Sequence, residues 1–250
     1  MTSHAPPAGY VQVTAGRCVV VVREELAADA RALLADGSLY SAAARTLAAR
    51  VLMGRGAAYA LSLPVSGTRA VVRRNRHGGL FAPLTRDLFL PPTRAPYELE
   101  VSLRLIKARV RTPAVLMYGV ERVAGVFRKA EVVTREVVDS LDLAGYMMPD
   151  VDAASRERAW AATRALVLAL NAAGARHHDL NVKNVLLGPA VRGLEAWVLD
   201  VDRVKFSTPN DPRVREGNAA RLLRSARKWR DERGAIFDER EIAALGMPVA

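Results

Sequence analysis

The chain has 250 residues, half of them apolar and a quarter charged, an ordinary globular composition that suits one generous core or two small ones. Its longest purely apolar runs, residues 18–22 and 165–170, fall far short of the roughly 18–20 residues that span a bilayer, and its single cysteine, Cys18, excludes an internal disulfide. The formal charge of +11, carried by 32 Arg and 5 Lys, fits an anionic partner (phosphate groups, an acidic membrane surface or nucleic acid) or simply the Arg- and Ala-rich usage of a high-GC genome.

In chain order, the opening Met1-Thr2-Ser3-His4-Ala5-Pro6-Pro7 has no basic segment followed by an apolar one. No secretory signal is read, and a reducing cytoplasm is expected. Residues 19–22 predict a short buried strand. Residues 24–34 predict a helix with Leu26, Ala30, Leu33 and Leu34 on one face and Gly37 past its end. Residues 57–63 and 68–74, joined by Pro64-Val65-Ser66-Gly67, predict a hairpin. Four prolines between Phe81 and Pro96 argue for an irregular loop. Residues 97–107 predict a helix; 115–120 and 123–133 predict strands about a turn at Glu121-Arg122. The clearest helix is 155–173, with Trp160, Thr163, Val167 and Leu170 at helical spacing, Asp152 as N-cap and Gly174 after its end. Gly188-Pro189 predicts a loop before a strand over 196–200, and the chain is helical and basic from about Arg213. A β-rich half with one helix precedes a helical half, which suggests an α+β fold of two lobes with a ligand cleft.

The chemistry concentrates in His177-His178-Asp179-Leu180-Asn181-Val182-Lys183-Asn184-Val185-Leu186-Leu187, with Asp200 following in Val198-Leu199-Asp200-Val201-Asp202. Phosphoryl transfer needs a carboxylate to orient and deprotonate the attacking hydroxyl and hard oxygen ligands for Mg²⁺. An Asp and an Asn five residues apart, feeding a hairpin whose second strand ends in another Asp, supply all three groups, at the spacing of the kinase catalytic loop. Taken singly, Asp179 and Asn184 read as turn caps; the ordered set does not. His177 is expected to pack rather than react, and Lys183 either touches phosphate or is solvated. Upstream, Gly54-Arg55-Gly56 allows backbone N–H groups to approach ATP phosphates. No strand lysine exists before Lys107. Arg73 stands in its place, with Glu98 as its expected ion-pair partner and Glu100 as the rival by register.

Together Gly54-Arg55-Gly56, Val72-Arg73-Arg74-Asn75-Arg76-His77-Gly78-Gly79-Leu80, the H-x-D-L-N-x-x-N segment from His177 to Asn184, Leu199-Asp200-Val201-Asp202-Arg203 and the helix Asn218-Ala219-Ala220-Arg221-Leu222-Leu223-Arg224-Ser225 resemble the lipopolysaccharide kinases. The resemblance is greatest to the 3-deoxy-D-manno-octulosonic acid (Kdo) kinases. It implies a protein-kinase-like two-lobed α+β fold: residues 1–50 an extension packed on the N-lobe, 51–134 the N-lobe, and 135–250 the C-lobe. It implies ATP- and Mg²⁺-dependent phosphorylation of a Kdo hydroxyl on a lipid A precursor, at the cytoplasmic face of the inner membrane. Asp179 would be the base, Asn184 and Asp200 the metal ligands, Gly54 and Gly56 the nucleotide cover, and Arg73 with Glu98 the phosphate-positioning pair. Val201 where the family has an aromatic, and Asn75 where it often has Tyr, are departures. The clusters Arg69, Arg73, Arg74, Arg76 and Arg221, Arg224, Lys228 are expected to meet anions: the first beside the cleft, the second at an anionic membrane surface or as a solvated helix face. A kinase of heptose or an aminoglycoside, or a non-catalytic kinase-fold binding module, are the alternatives. No nucleic-acid-binding motif is recognisable.

Overall fold

In this computed structural model, which describes residues 5–35, 37–52, 56–75, 87–123, 125–191 and 193–247, the chain enters through an antiparallel hairpin. Its strands are β1 (Tyr10–Ala15) and β2 (Cys18–Arg23). A 3-10 turn, Glu24–Leu26, leads into α1 (Ala27–Ala35), and α2 (Leu39–Arg45) follows. Then come β3 (Arg50–Leu52), β4 (Ala58–Ser62) and β5 (Arg69–Arg74). Helix α3 (Ala95–Lys107) separates these from β6 (Val115–Val123) and β7 (Phe127–Arg135). All seven strands form one antiparallel sheet in the order β1-β2-β6-β7-β5-β4-β3.

Contacts divide the chain into two compact units, the first comprising residues up to Glu100 with Ala114–Glu136, the second Val101–Pro113 with Val137 onward. In the first, Val20, Val22, Leu33, Leu39, Val72 and Val133 are among the residues that pack α1 and α2 on the sheet. Asp29, buried on α1, accepts the backbone N–H groups of Val65 (2.8 Å) and Ser66 (3.0 Å), which holds the β4–β5 turn to that helix. Glu131 on β7 is buried too, and accepts from Ser38 Oγ (2.8 Å) and the Tyr40 N–H (2.9 Å) at the start of α2. A buried carboxylate is tolerated only with such donors and a counter-charge; the guanidinium of Arg74 supplies the charge at 3.1 Å. Cys18 is buried, and that burial, with the charges of Glu131 and Glu121, pushes its thiol up to about 12. It is an inert core residue.

The second unit holds β8 (Leu141–Asp142), α4 (Leu143–Tyr146), α5 (Ala153–Ala172), β9 (Ala175–His177), β10 (Val185–Ala190) and β11 (Gly193–Val198). A 3-10 turn, Val201–Arg203, β12 (Val204–Phe206), α6 (Pro212–Arg233) and α7 (Glu239–Ala244) complete it. Its sheets are β11-β10-β8 and β12-β9, both antiparallel. Leu105, Val167, Leu170, Leu180, Val198 and Leu222 lie in a core to which both α5 and α6 contribute. The N-cap Asp152 accepts the Ser155 N–H at 2.9 Å, as expected of the Asp before the long helix. No helix among the described residues is long and apolar enough to cross a membrane.

Two predicted turns lie elsewhere. Glu121 and Arg122 are paired strand residues, opposite Lys129 and Arg128, and the chain reverses three residues later where Gly125 takes φ +71°. The charges there are the exposed alternates of a strand end. Gly188 and Pro189 likewise sit inside β10, opposite Glu195 and Leu194, and the reversal falls at Gly193, φ +102°. Pro189 is tolerated because β8 pairs only with Leu186 and Leu187, so that edge of β10 carries no ladder at the proline.

Gly174 is the joint between α5 and β9. Its φ is +65°, and a Cβ there would stand 2.5 Å from the Thr208 carbonyl oxygen and 2.6 Å from that of Ser207. Gly67, also left-handed at φ +69°, has open space around it. Gly174→Ala is therefore expected to destabilise by about 2 kcal/mol or more, and Gly67→Ala by only about 1 kcal/mol. All three tryptophans, Trp160, Trp197 and Trp229, belong to the second unit. Urea unfolding followed by tryptophan fluorescence checks this: Gly174→Ala moves that transition, while Gly67→Ala moves only the tyrosine-rich first unit.

Candidate active site

The loop between β9 and β10 is organised by the wholly buried side chain of His177. Its Nδ1 accepts the Asp179 N–H at 3.1 Å, so the proton sits on Nε2, which donates to the Leu199 carbonyl at 2.9 Å. One ring thus fixes the backbone of Asp179 against the residue preceding Asp200. The His177 N–H donates to Asn218 Oδ1 on α6 at 3.0 Å, and the Asn218 amide donates to Asn171 Oδ1 and the Ala175 carbonyl, both at 3.0 Å. Leu180 and Val182, fully buried, anchor alternate positions of the loop in the core.

Two amides grip the Asp179 carbonyl: Asn181 Nδ2 at 3.1 Å and Asn184 Nδ2 at 2.9 Å. Asn181 Oδ1 in return accepts the N–H groups of Lys183 (2.9 Å) and Asn184 (3.1 Å), and the Asn184 carbonyl accepts the Leu199 N–H at 2.9 Å. Asp179, Asn184 and the Leu199-Asp200 step are therefore joined by direct hydrogen bonds. With its Nδ2 committed to Asp179, Asn184 has its Oδ1 left over, and that oxygen accepts no hydrogen bond among the described residues. Asp200 takes φ +54°, ψ +49°, a left-handed conformation costly for a non-glycine residue, and starts the turn that returns to β12. No group of three or more His, Cys, Asp or Glu side chains able to hold a metal exists among the described residues. The oxygen donors at this loop are an amide and carboxylates, a set that suits Mg²⁺, which keeps several waters and needs few protein ligands.

Asp179 Oδ1 lies 2.5 Å from Nη2 of Arg221 on α6. The sequence reading put Arg221 on an outward basic face with Arg224 and Lys228; it turns instead to the loop, while Lys228 pairs with Glu232 at 3.8 Å. Lys183 is ion-paired with Asp142 and lies 5.6 Å from the Trp229 ring centroid, so its charge is spent locally. His178 is exposed; its pKa is pushed down by partial burial and by the charges of Arg176, Lys205 and Arg203.

In the first unit, Arg73 on β5 pairs through Nη2 with Glu98 on α3, and its Nη1 donates to Asn75 Oδ1 at 3.4 Å. Glu98 is buried and Glu100 exposed, which decides between the two. Ala58 stands directly opposite Arg73, so Gly56, two residues ahead of it, enters β4 at the arginine's end. Gly54 lies outside the described residues, as do Arg55 and the stretch from Arg76 to Leu80. The described members of the expected basic cluster are paired: besides Arg73, Arg69 meets Glu136 at 2.8 Å, and Arg74 meets Asp87 (2.9 Å) and Glu131 (3.1 Å) with its guanidinium 4.3 Å from the Tyr40 ring centroid.

The family described as lipopolysaccharide kinase (Kdo/WaaP) matches residues 46–244. The 3-deoxy-D-manno-octulosonic acid kinase of Xylella fastidiosa (strain M12) is 33% identical over 197 residues, which cover 77% of this chain and 74% of that protein. The enzyme of the same name from Xanthomonas euvesicatoria pv. vesicatoria (strain 85-10) is 31% identical over 217 residues, 84% and 83% of the two chains. A solved structure of WaaP in complex with acyl carrier protein superposes with a TM-score of 0.52 at 20% identity, covering 83% of this chain and 80% of that one. The α+β, protein-kinase-like fold expected from the sequence holds.

His177 makes the site's stability pH-dependent. Burial, opposed by the Leu199 hydrogen bond and the carboxylates of Asp200, Asp179 and Asp202, lowers its pKa from the ordinary 6.5. The unfolded chain then binds the proton more readily than the folded one, so this contribution is complete above about pH 6.5 and is lost as pH falls toward the lowered folded value. Tryptophan-detected stability is expected to drop between pH 7.5 and 5.5 with a slope of up to about 1.4 kcal/mol per pH unit. His177→Gln flattens that slope, and His178→Ala leaves most of it.

Proposed function

The chain belongs to the lipopolysaccharide kinase (Kdo/WaaP) family, and from that premise we propose that it transfers the terminal phosphate of ATP to a hydroxyl of a Kdo residue on a lipid A precursor. The observation that carries this reading is the hydrogen-bonded loop in which Asp179, Asn184 and the Asp200 turn are tied through His177. Asp179 orients the acceptor hydroxyl and takes its proton as the new oxygen–phosphorus bond forms. The bond from the γ-phosphorus to the bridging oxygen breaks, and ADP leaves with that bond's electrons.

Asn184, through Oδ1, and Asp200, through its carboxylate, would hold Mg²⁺, which supplies charge neutralisation on the phosphates. The amide orientation supports this, because a bond from Nδ2 to the Asp179 carbonyl sets which end of Asn184 meets a ligand. Arg73, held by Glu98, positions nucleotide phosphate as a charged fork that needs no strand lysine, and the Gly54–Gly56 segment supplies backbone donors. A lipid-anchored acceptor brings the reaction to a membrane surface. We assign the chain there as a peripheral protein of the cytoplasmic face, a reading supported by the excess of basic over acidic residues along α6.

Mass spectrometry of Kdo-lipid A after incubation with ATP and Mg²⁺ tests the proposal. The expected result is a gain of one phosphoryl group, abolished by EDTA. Asp179→Ala is expected to lower the rate about 10²–10⁴-fold with the tryptophan-detected fold unchanged. Transfer at the wild-type rate by that variant overturns the assignment. Arg73→Ala is expected to raise the KM for ATP more than that for the acceptor, the split that separates nucleotide positioning from acceptor binding.

A further inference from the structure

The arginines of the two units have different company. In the first, Arg50, Arg69, Arg73 and Arg74 each meet a carboxylate. In the second, Arg221 meets Asp179, but the basic residues beside Arg221 meet no carboxylate among the described residues. Arg176 on β9 lies along α6 where Gly217 leaves room; a Cβ at 217 would stand 2.2 Å from Arg176 Nε. Its guanidinium is held by neutral oxygens, Asn218 Oδ1 at 3.2 Å and the His177 carbonyl at 3.3 Å. Arg221 follows Gly217 by four residues and Arg224 follows Arg221 by three, so all three positions share one face of α6. Lys205 stands directly across from Arg176 in the β9–β12 pair. Arg176, Arg224 and Lys205 have no ion-pair partner among the described residues, and burial together with the charges of Arg221 and Arg224 pushes the Arg176 pKa down. Arg176, Arg221 and Arg224 thus act on one another, and the one in the middle of the helix face meets Asp179, the proposed base, directly.

Like charges gathered at a partly buried place raise the energy of the site until an anion joins them. Guanidinium forks match the oxygens of carboxylates and phosphates. The Asp179–Arg221 pair, with side chains 23% and 26% exposed, is within reach of solvent and ligand. While Arg221 engages Oδ1, that oxygen is taken up and does not receive a hydroxyl.

We propose that Arg176, Arg221 and Arg224 form a subsite for an anionic oxygen group of the acceptor, and that its occupancy draws Arg221 off Asp179. The carboxylate is then open to the hydroxyl only when an acidic acceptor is seated, so water is a poor substitute. This rests on the reading of Asp179 as the base. The group is a carboxylate or a phosphate, both of which the proposed acceptor carries.

The test uses three probes: the methyl glycoside of Kdo, its methyl ester, in which the carboxylate is neutral, and a phosphorylated lipid A disaccharide without Kdo. Calorimetry without nucleotide is expected to show an anionic probe bound, and bound about 10–100-fold more weakly by Arg224→Gln and Arg176→Gln. If the carboxylate is the group, the methyl ester binds wild type as weakly as the glycoside binds those variants. If the phosphate is, the disaccharide alone binds and the same substitutions weaken it. In turnover, Arg221→Gln and Arg221→Lys raise the acceptor KM at least about tenfold and move the ATP KM less than about twofold. Because Arg224 is exposed, its substitution leaves folding intact, and thermal unfolding checks this. Unchanged affinity for every anionic probe in the Arg224 and Arg176 variants, with phosphate transfer retained, overturns the subsite alone. Arginine-dependent binding with no transfer to any Kdo acceptor upholds the subsite and removes the kinase reading.

Discussion

The second unit depends on the burial of one imidazole with both its nitrogens satisfied. His177 accepts a hydrogen bond from the Asp179 amide and donates one to the Leu199 carbonyl, so one rigid ring sets the backbone spacing of two acidic residues twenty-one positions apart. The adjoining Asn218, also fully buried, has acceptor and donors engaged on Arg176, His177, Asn171 and Ala175, which ties the loop to α5, β9 and α6 at once. Buried polar groups arranged like this are stable only when complete, because each orphaned donor or acceptor costs about 1–3 kcal/mol. Completeness gives the loop its precision: Asp179 and Asn184 are placed by hydrogen bonds on their own backbone and amide atoms, while Asn184 Oδ1 accepts from no partner among the described residues.

Charge is handled in two ways along the chain. In the first unit arginine is a structural element: Glu131 and Glu136 are nearly inaccessible carboxylates, and Arg74, Arg69 and Arg50 make their burial affordable. Burial alone would raise the Glu136 pKa, yet the hydrogen bonds and charges of Arg69 and Arg50 hold it below the ordinary value. In the second unit Arg111, Arg227 and Arg230 also meet carboxylates, but Arg176 and Arg224 gather with Arg221, and of these three Arg221 alone is paired among the described residues. Net charge read from composition cannot distinguish these cases, since it counts an arginine locked on a glutamate and one awaiting a ligand alike.

Much of the fold was legible because its signals are local. The apolar run of β2, the hairpin of β4 and β5, and the capped helix α5 each advertise themselves within a dozen residues. Helix α2 does not: it spans Leu39–Arg45, and its capping box pairs Ser38 with Ser41 rather than a serine with a glutamate. Strand β1 was missed although Tyr10, Val11, Val13 and Thr14 precede a glycine, because only Tyr10 and Val13 are buried and the alternation is imperfect. Both misplaced turns came from treating polar or glycine-proline pairs as reversals where a glycine with positive φ a few residues on makes the bend. At the site, the H-x-D-L-N-x-x-N spacing was readable since its hydrogen bonds close within seven residues. Arg221 was not, because its partner lies 42 positions earlier and nothing in a basic amphipathic helix says which arginine turns inward. Gly217, at a position where a side chain would collide with Arg176, was the one local hint.

Asp200 shows what the fold gives up for the site. A left-handed backbone costs a non-glycine residue about 1–2 kcal/mol, less for Asp or Asn than for most. Glycine would remove that penalty, and the chain uses glycine freely where no side chain is needed, at Gly174, Gly125 and Gly193. At 200 it keeps a carboxylate in the same conformation. The left-handed step also follows directly from the hub, because Leu199 must present its carbonyl to His177 and its N–H to Asn184 before the chain turns through Val201–Arg203 toward β12. One residue therefore absorbs the change of direction, and it is the residue proposed to hold Mg²⁺, so on that reading backbone strain and chemistry fall together.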